Sequence, residues 1–176
     1  MNVGTNQLRP SLAPVLRDDL PYLQMWFNDP AAMGEYDSIA SHSDSRMNFK
    51  FDFGSFSQAR IIHFDQKRIG FCGYVVHPWE DWIAVIGVTI ALSEYRGRGL
   101  GVSIHQSLMK EVFEVAPKIQ KIEALTDVEN FPEQIVLSRA GFKKEGLHLR
   151  KNRLRGEFRD MYHYGFLRGQ EFKPQS

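Results

Sequence analysis

The spacing of apolar residues changes between Trp82 and Val115. From Ile83 to Leu92 a run of apolar residues, interrupted only by Gly87 and Thr89, reads as a strand. Arg96-Gly97-Arg98-Gly99-Leu100-Gly101 interrupts them. Leu100, Ile104, Leu108, Met109, Val112 and Phe113 then recur at spacings of three and four, one face of a helix. The pattern predicts a strand, a glycine-rich loop and a helix, with Pro117 stopping the helix near Ala116. Upstream, Leu8 to Leu16 reads as a strand broken by Pro10 and Pro14, hence at a sheet edge. Asp18 or Asp19 caps a helix to about Asn28, and Asp29-Pro30 starts a short one through about Ser38. Residues 41–57 fit neither period. Ala59 to Phe64 and Arg68 to Val76 read as strands around a tight turn at Asp65-Gln66-Lys67. Downstream, Ile119 to Thr126 is a strand and Phe131 to Ala140 a helix ended by Gly141. Phe142 to Arg150 and Glu157 to Leu167 form a terminal hairpin. The strand–helix–strand unit from Trp82 to Thr126 implies a right-handed parallel crossover.

Composition narrows the function classes. The chain has 176 residues and a formal net charge of +1. That length suits one domain with a sizeable core, expected over residues 8–170 between a tail at 1–7 and another at 171–176. The near-neutral charge points to neither nucleic acid nor an anionic membrane. One cysteine, Cys72, excludes a disulfide framework and a cysteine-rich metal site, and no metal is expected. Cys72 sits mid-strand between apolar neighbours, where a thiol is usually inert packing. No basic-then-apolar leader and no apolar run of about 20 residues is apparent, so a cytoplasmic location is expected.

The loop carries the most specific chemistry. Where a strand gives way to a helix, unpaired N–H groups and the positive end of the dipole face outward. Glycines let that backbone approach a phosphate or pyrophosphate. Gly101-Val102-Ser103 lacks the lysine of a nucleotide-triphosphate loop. Val102 stands where the third glycine of a dinucleotide fingerprint belongs. Arg96, Gly99 and Gly101 do fit Arg/Gln-x-x-Gly-x-Gly/Ala, which resembles the pyrophosphate loop of the GNAT superfamily of acyl-CoA-dependent N-acyltransferases. A second block strengthens the resemblance: Lys121-Ile122-Glu123-Ala124, Asn130, Val136-Leu137, Ala140-Gly141-Phe142, Glu145-Gly146, then Gly156, Phe158, Asp160, Tyr164 and Gly165. It is similar to the second half of the RimJ/RimL-type branch. The likeness covers residues 82–167 by motif and the first eighty by element order.

The resemblance implies one α+β domain, with a mixed, mostly antiparallel sheet, a β-α-β crossover carrying the loop, and helices on both faces. It implies acetyl-CoA as cosubstrate and direct transfer of its acetyl group to a primary amine: a protein N-terminus, an amino sugar, a polyamine or another small amine. A catalytically silent acyl-CoA-binding module is the alternative, and a homodimer is possible. Carried over by position, the backbone of Thr89, Ile90 and Ala91 pairs with the pantetheine arm. The amides of Arg96, Gly97, Arg98, Gly99, Leu100 and Gly101 hold the pyrophosphate, the Arg96 side chain adds a contact, and Asn130 bonds the pantetheine amides. Glu133 replaces the branch's usual serine and is expected to turn to solvent, away from an anionic cosubstrate. The general base and acid are not readable. Ile83 stands where many relatives carry a glutamate, and Leu137 where many carry a tyrosine. The remaining candidates are Asp81, His77, Glu35 and Tyr162. Trp26, Phe27 and Glu35 fall where GNAT folds cover the acceptor. A carboxylate such as Glu35 or Asp37 suits a cationic amine. Arg150, Lys151, Arg153, Arg155 and Arg159 in the hairpin suit an anionic one.

Overall fold

The structure, a computed structural model, describes residues 9–36, 43–52, 54 and 57–172. Seven strands form one sheet: β1 (Ser11–Pro14), β2 (Ala59–Phe64), β3 (Lys67–Val76), β4 (Ile83–Ile90), β5 (Lys121–Asp127), β6 (Lys143–Leu154) and β7 (Glu157–Leu167). Their spatial order is β1-β2-β3-β4-β5-β7-β6. Every neighbouring pair is antiparallel except β4 and β5. That pair is joined by the crossover helix α4 (Leu100–Val115). β1 lies at the edge, as its prolines require.

Both faces of the sheet are covered. The three-and-four spacing puts Ile104, Leu108, Met109 and Val112 on the inner face of α4, each 0% exposed. They pack with α5 (Phe131–Ala140) against Ile122, Ala124 and Phe166 of the sheet. Replacing Leu108 by Ala would cost roughly 2–5 kcal/mol, the range for a closed core site. On the other face, Leu20, Leu23 and Trp26 of α1 (Leu20–Asn28) and Ala32 of α2 (Pro30–Met33) pack with Met47 of α3 (Asp44–Asp52) on Ile61 and Ala91. Trp26 stacks on Phe71 of β3, with ring centroids 6.2 Å apart.

Some boundaries move. The first strand keeps only Ser11–Pro14, and Leu8 lies outside the described residues. α2 stops at Met33, because Gly34 takes φ +80° and closes the turn. The aperiodic stretch 41–57 holds α3, whose buried anchor is Met47. β6 runs on to Leu154, past a register shift between His148 and Asn152. The N–H of Arg150, at φ +50°, there donates to Asp160 Oδ1 at 2.7 Å. Among the described residues, no helix is long and apolar enough to cross a membrane.

Candidate active site

β4 and β5 part company early. They pair only from Ile83–Lys121 to Val85–Glu123. Beyond that the β5-facing edge of β4 has no strand partner, and a gap opens at the carboxyl ends of both strands. The phase of the ladder decides which groups face it. The Ala91 N–H donates to Ile69 O at 2.8 Å, and the His77 N–H donates to Ile83 O at 3.0 Å. Residues of an antiparallel strand alternate sides, so Ile83, Val85, Gly87, Thr89 and Ala91 direct their backbone groups to β3. Ile86, Val88 and Ile90 face the other edge: the Ile86 N–H still closes the last parallel bridge to Glu123, while the Ile86 carbonyl, both groups of Val88 and the Ile90 N–H face the gap. Of the three residues expected to pair with a pantetheine arm, Ile90 faces it and Thr89 and Ala91 do not. Val88 and the Ile86 carbonyl face it too, which a run of apolar residues does not reveal, since it does not show which edge of a strand is unpaired.

The loop closes one end of the gap. Gly97 and Gly99 adopt φ of +70° and +77°. Gly99 is the N-cap of α4 and offers no side-chain acceptor, so the first N–H groups of the helix point outward. A Cβ at Gly99 would meet nothing within 4 Å. An anion can therefore reach the amides from Gly99 onward without steric obstruction. Asn130 caps α5 across the gap, its Oδ1 accepting from the Glu133 N–H at 3.3 Å, which leaves its NH2 group with no partner among the described residues.

Two side chains depart from expectation. Arg96 does not present its guanidinium to the cradle. Its Nε donates to Ile90 O at 2.7 Å, and Nη2 to Ala31 O at 2.9 Å and Ala32 O at 2.6 Å. It braces α2 to the end of β4, because four-residue α2 offers carbonyls with no helical partner. The cation left beside the cradle is Arg98, which lies over the Tyr95 ring, 5.1 Å from its centroid. Glu133 does not turn to solvent either. Its Oε1 lies 3.0 Å from Nε2 of the buried His105, an attractive partner inside the fold.

A pocket of about 260 Å³ opens beside the β5–α5 turn, lined by Glu35, Tyr36, Glu129, Leu154, Arg155, Glu157 and Arg159. The Tyr36 hydroxyl donates to Glu129 O at 3.0 Å and ties the segment after α2 to this turn, next to Asn130. Arg159 is already neutralised: Nε lies 2.8 Å from Asp127 Oδ2, and Nη2 bonds both Asp127 and Glu129. Burial raises the Asp127 pKa, but the bonds from Arg159 and the Glu129 N–H outweigh it, and the carboxyl titrates below its ordinary range. Among the described residues, Glu35, Glu157 and Arg155 keep unpaired charges, and Asp37 lies outside them.

The profile of the GNAT acetyltransferase domain matches residues 9–143, the span from β1 to the start of β6. The chain belongs to the GNAT family. It is 29% identical over 108 residues to an N-acetyltransferase, p20, of Bacillus licheniformis, an alignment covering 61% of this chain and 60% of that one. Among solved structures it resembles a spermidine N-acetyltransferase from Vibrio cholerae in complex with CoA and spermine. That match has TM-score 0.78 and 19% identity, over 90% of this chain and 95% of that one. RimJ of Mycobacterium smegmatis, in complex with CoA-disulfide, matches with TM-score 0.74 and 21% identity, over 92% and 85%. A ribosomal-protein-alanine N-acetyltransferase from Brucella melitensis matches with TM-score 0.73 and 16% identity, over 89% and 99%. At these identities the structures establish the GNAT fold.

Within this GNAT fold the four candidate catalytic residues separate. Asp81 is exposed and pairs with Lys118 at 3.5 Å, and His77 lies 3.4 Å from Glu80. Both belong to the β3–β4 turn. β4 rises about 3.3 Å per residue, so Ile83 lies about 23 Å from Ile90, and the turn holding Asp81 precedes that start of the strand. Neither lines the pocket beside the β5–α5 turn. Tyr162 stands on β7, one strand behind the gap, with Lys144 Nζ 3.4 Å from its ring centroid. Glu35 is the candidate that lines the pocket.

Glu123, Glu145 and His163 also gather, on the face opposite α4. The Lys121 ammonium lies 2.8 Å from Glu123 and 2.7 Å from Glu145 and bridges the two carboxylates, with His163 Nε2 3.1 Å from Glu123. Cys72 is 2% exposed, and burial pushes its thiol pKa up to about 12, with Glu111 adding to the shift and Arg60 opposing it. Such a thiol is a poor nucleophile.

Proposed function

We propose that this GNAT chain transfers the acetyl group of acetyl-CoA directly to a cationic primary amine. The single observation carrying this reading is the gap between β4 and β5, with an uncapped helix N-terminus at one side and an acid-lined pocket at its mouth. The residues fit the cosubstrate. Amides of Gly97 to Gly101 and the Arg98 guanidinium suit a pyrophosphate, and the Asn130 NH2 suits an amide carbonyl. The Ile86 carbonyl, both backbone groups of Val88 and the Ile90 N–H suit an extended arm laid as an added strand. Acetyl-CoA supplies an activated thioester carbonyl. An N–H of this edge, from Val88 or Ile90, is aimed where the tetrahedral oxyanion would form. Glu35 and Glu157 attract the ammonium, and pocket water relays its proton toward Glu35. Holding both reactants in one cleft lowers the barrier by making their encounter intramolecular. The buried, protonated Cys72 supports transfer without a covalent acyl-enzyme.

The test is CoA release from acetyl-CoA with a polyamine, an amino sugar and an alanine-ended peptide, together with thermal shift by acetyl-CoA. The expected outcome is a raised melting temperature and the highest kcat/KM on the most cationic amine. Binding without turnover on any amine would favour a silent acyl-CoA-binding module.

A further inference from the structure

The first turn of α4 meets α5 closely. A Cβ on Gly101 would stand 3.1 Å from a Val136 methyl. Beside this contact His105 is 1% exposed. Its Nδ1 lies 2.8 Å from Gly101 O, and its Nε2 lies 3.0 Å from Glu133 Oε1. A carbonyl and an ionised carboxylate only accept hydrogen bonds. A neutral imidazole carries one N–H, so it would satisfy one of these oxygens and aim a lone pair at the other. The imidazolium donates to both. The geometry therefore holds one proton shared between the ring and the carboxyl, in a place the reaction itself does not use.

We propose that the His105 imidazolium, held between Gly101 and Glu133, is a positioning residue that locks the first turn of α5 against that of α4 and so sets the width of the acetyl-CoA cleft. The inference rests on the acetyl-CoA reading above. The two turns carry the two halves of that cleft. Gly101 closes the phosphate loop, and the N–H of Glu133 is the group that Asn130 caps. Drawing Glu133 toward His105 thus also orients Asn130.

The surrounding charges agree. Burial disfavours a charged ring, but the Glu133 charge, its hydrogen bond and the Gly101 carbonyl outweigh that, and His105 titrates above its ordinary value. From α5, Glu133 is the one charged group acting on the ring among the described residues. From β7, Tyr164 lies within reach of Glu133, and burial first, then Tyr162 and Glu133, raise its hydroxyl pKa. From β6, Lys144 lies 3.4 Å from the Tyr162 ring centroid and 5.8 Å from that of Tyr164. In the loop, Arg96 is turned to α2 and Arg98 to Tyr95. A raised folded-state pKa places the effect at the alkaline side. The lock is complete below the unfolded histidine value of about 6.5 and is lost as pH rises through the higher folded value.

The test is calorimetric titration of coenzyme A into the full chain and its E133Q and H105Q variants, from about pH 6 to about pH 9 across the histidine range. A glutamine at 133 can donate to neutral Nε2 while Nδ1–H donates to Gly101, so E133Q keeps the lock without the extra proton. Wild-type affinity should fall by about tenfold on raising pH, the factor that one lost buried hydrogen bond implies. E133Q should not share that fall, and the comparison cancels the titration of coenzyme A itself. H105Q should bind weakly throughout. Nitrogen NMR of His105 at neutral pH should show both ring nitrogens protonated. Parallel wild-type and E133Q profiles, or a ring with a single N–H, would overturn the positioning role while leaving the cosubstrate reading intact. Failure of all three proteins to bind coenzyme A at any pH would overturn both.

Discussion

Gly99 is where one residue controls the chemistry most directly. Its φ of +77° is open to glycine and strained for a β-branched residue, while its missing Cβ has free space around it. Gly99→Val therefore creates no core clash. The strain, about 1–3 kcal/mol, is relieved by rotating the loop, which turns its amides away from the anion. The expected outcome is a folded protein by circular dichroism whose acetyl-CoA affinity falls at least ~30-fold, about 2 kcal/mol at 1.4 kcal/mol per decade. Unchanged affinity would show that the loop does not hold the pyrophosphate.

Between elements, Arg96 shows how far local sequence reaches. Its place in the loop pattern was legible, and so was the helix that follows, because glycine spacing and a three-and-four apolar stripe are local signals. The destination of its guanidinium was not. Ala31 and Ala32 are more than sixty residues away, and only the folded chain brings their carbonyls within 3 Å. The same holds for α3, whose one buried anchor among the described side chains, Met47, makes no visible period. It holds too for Glu133, where a pairwise signal existed: an acid out of pattern on one helix and a histidine within the apolar face of its neighbour. Arg96→Ala is therefore expected to act on the brace. It should lower stability by about 1–2 kcal/mol, the scale of the lost hydrogen bonds. In a chemical-denaturation and steady-state comparison, the KM for the amine should rise more than that for acetyl-CoA, since α2 leads into Glu35 and Tyr36. A selective rise for acetyl-CoA would restore Arg96 as a phosphate ligand.

For the whole molecule, net charge said little about substrate, because +1 is the balance of 22 basic and 21 acidic residues wherever they lie. The hairpin arginines alone suggested an anionic acceptor. In the fold, Arg159 is matched by Asp127 and Glu129, and the pocket it lines is left with more acid than base. Glu35→Gln should raise the KM of a cationic amine a few-fold, and Arg155→Glu should lower it. Both effects should fade with added salt, since exposed charges are screened beyond about 8–10 Å. A KM that rises in Arg155→Glu would reinstate the anionic acceptor.

The early parting of β4 from β5 also has a mechanical side. Among the described residues, three residue pairs, Ile83–Lys121 to Val85–Glu123, and a bond from the Gln120 N–H to Trp82 O stitch β1–β4 to β5–β7. The sheet is two leaves on a short spine, and α4 spans them as the binding. A molecule bridging both free margins acts as a clasp, resisting their spread. Substrate capture and the rigidity of the page-like halves are then one property, and the leaves are most free to breathe when the clasp has gone.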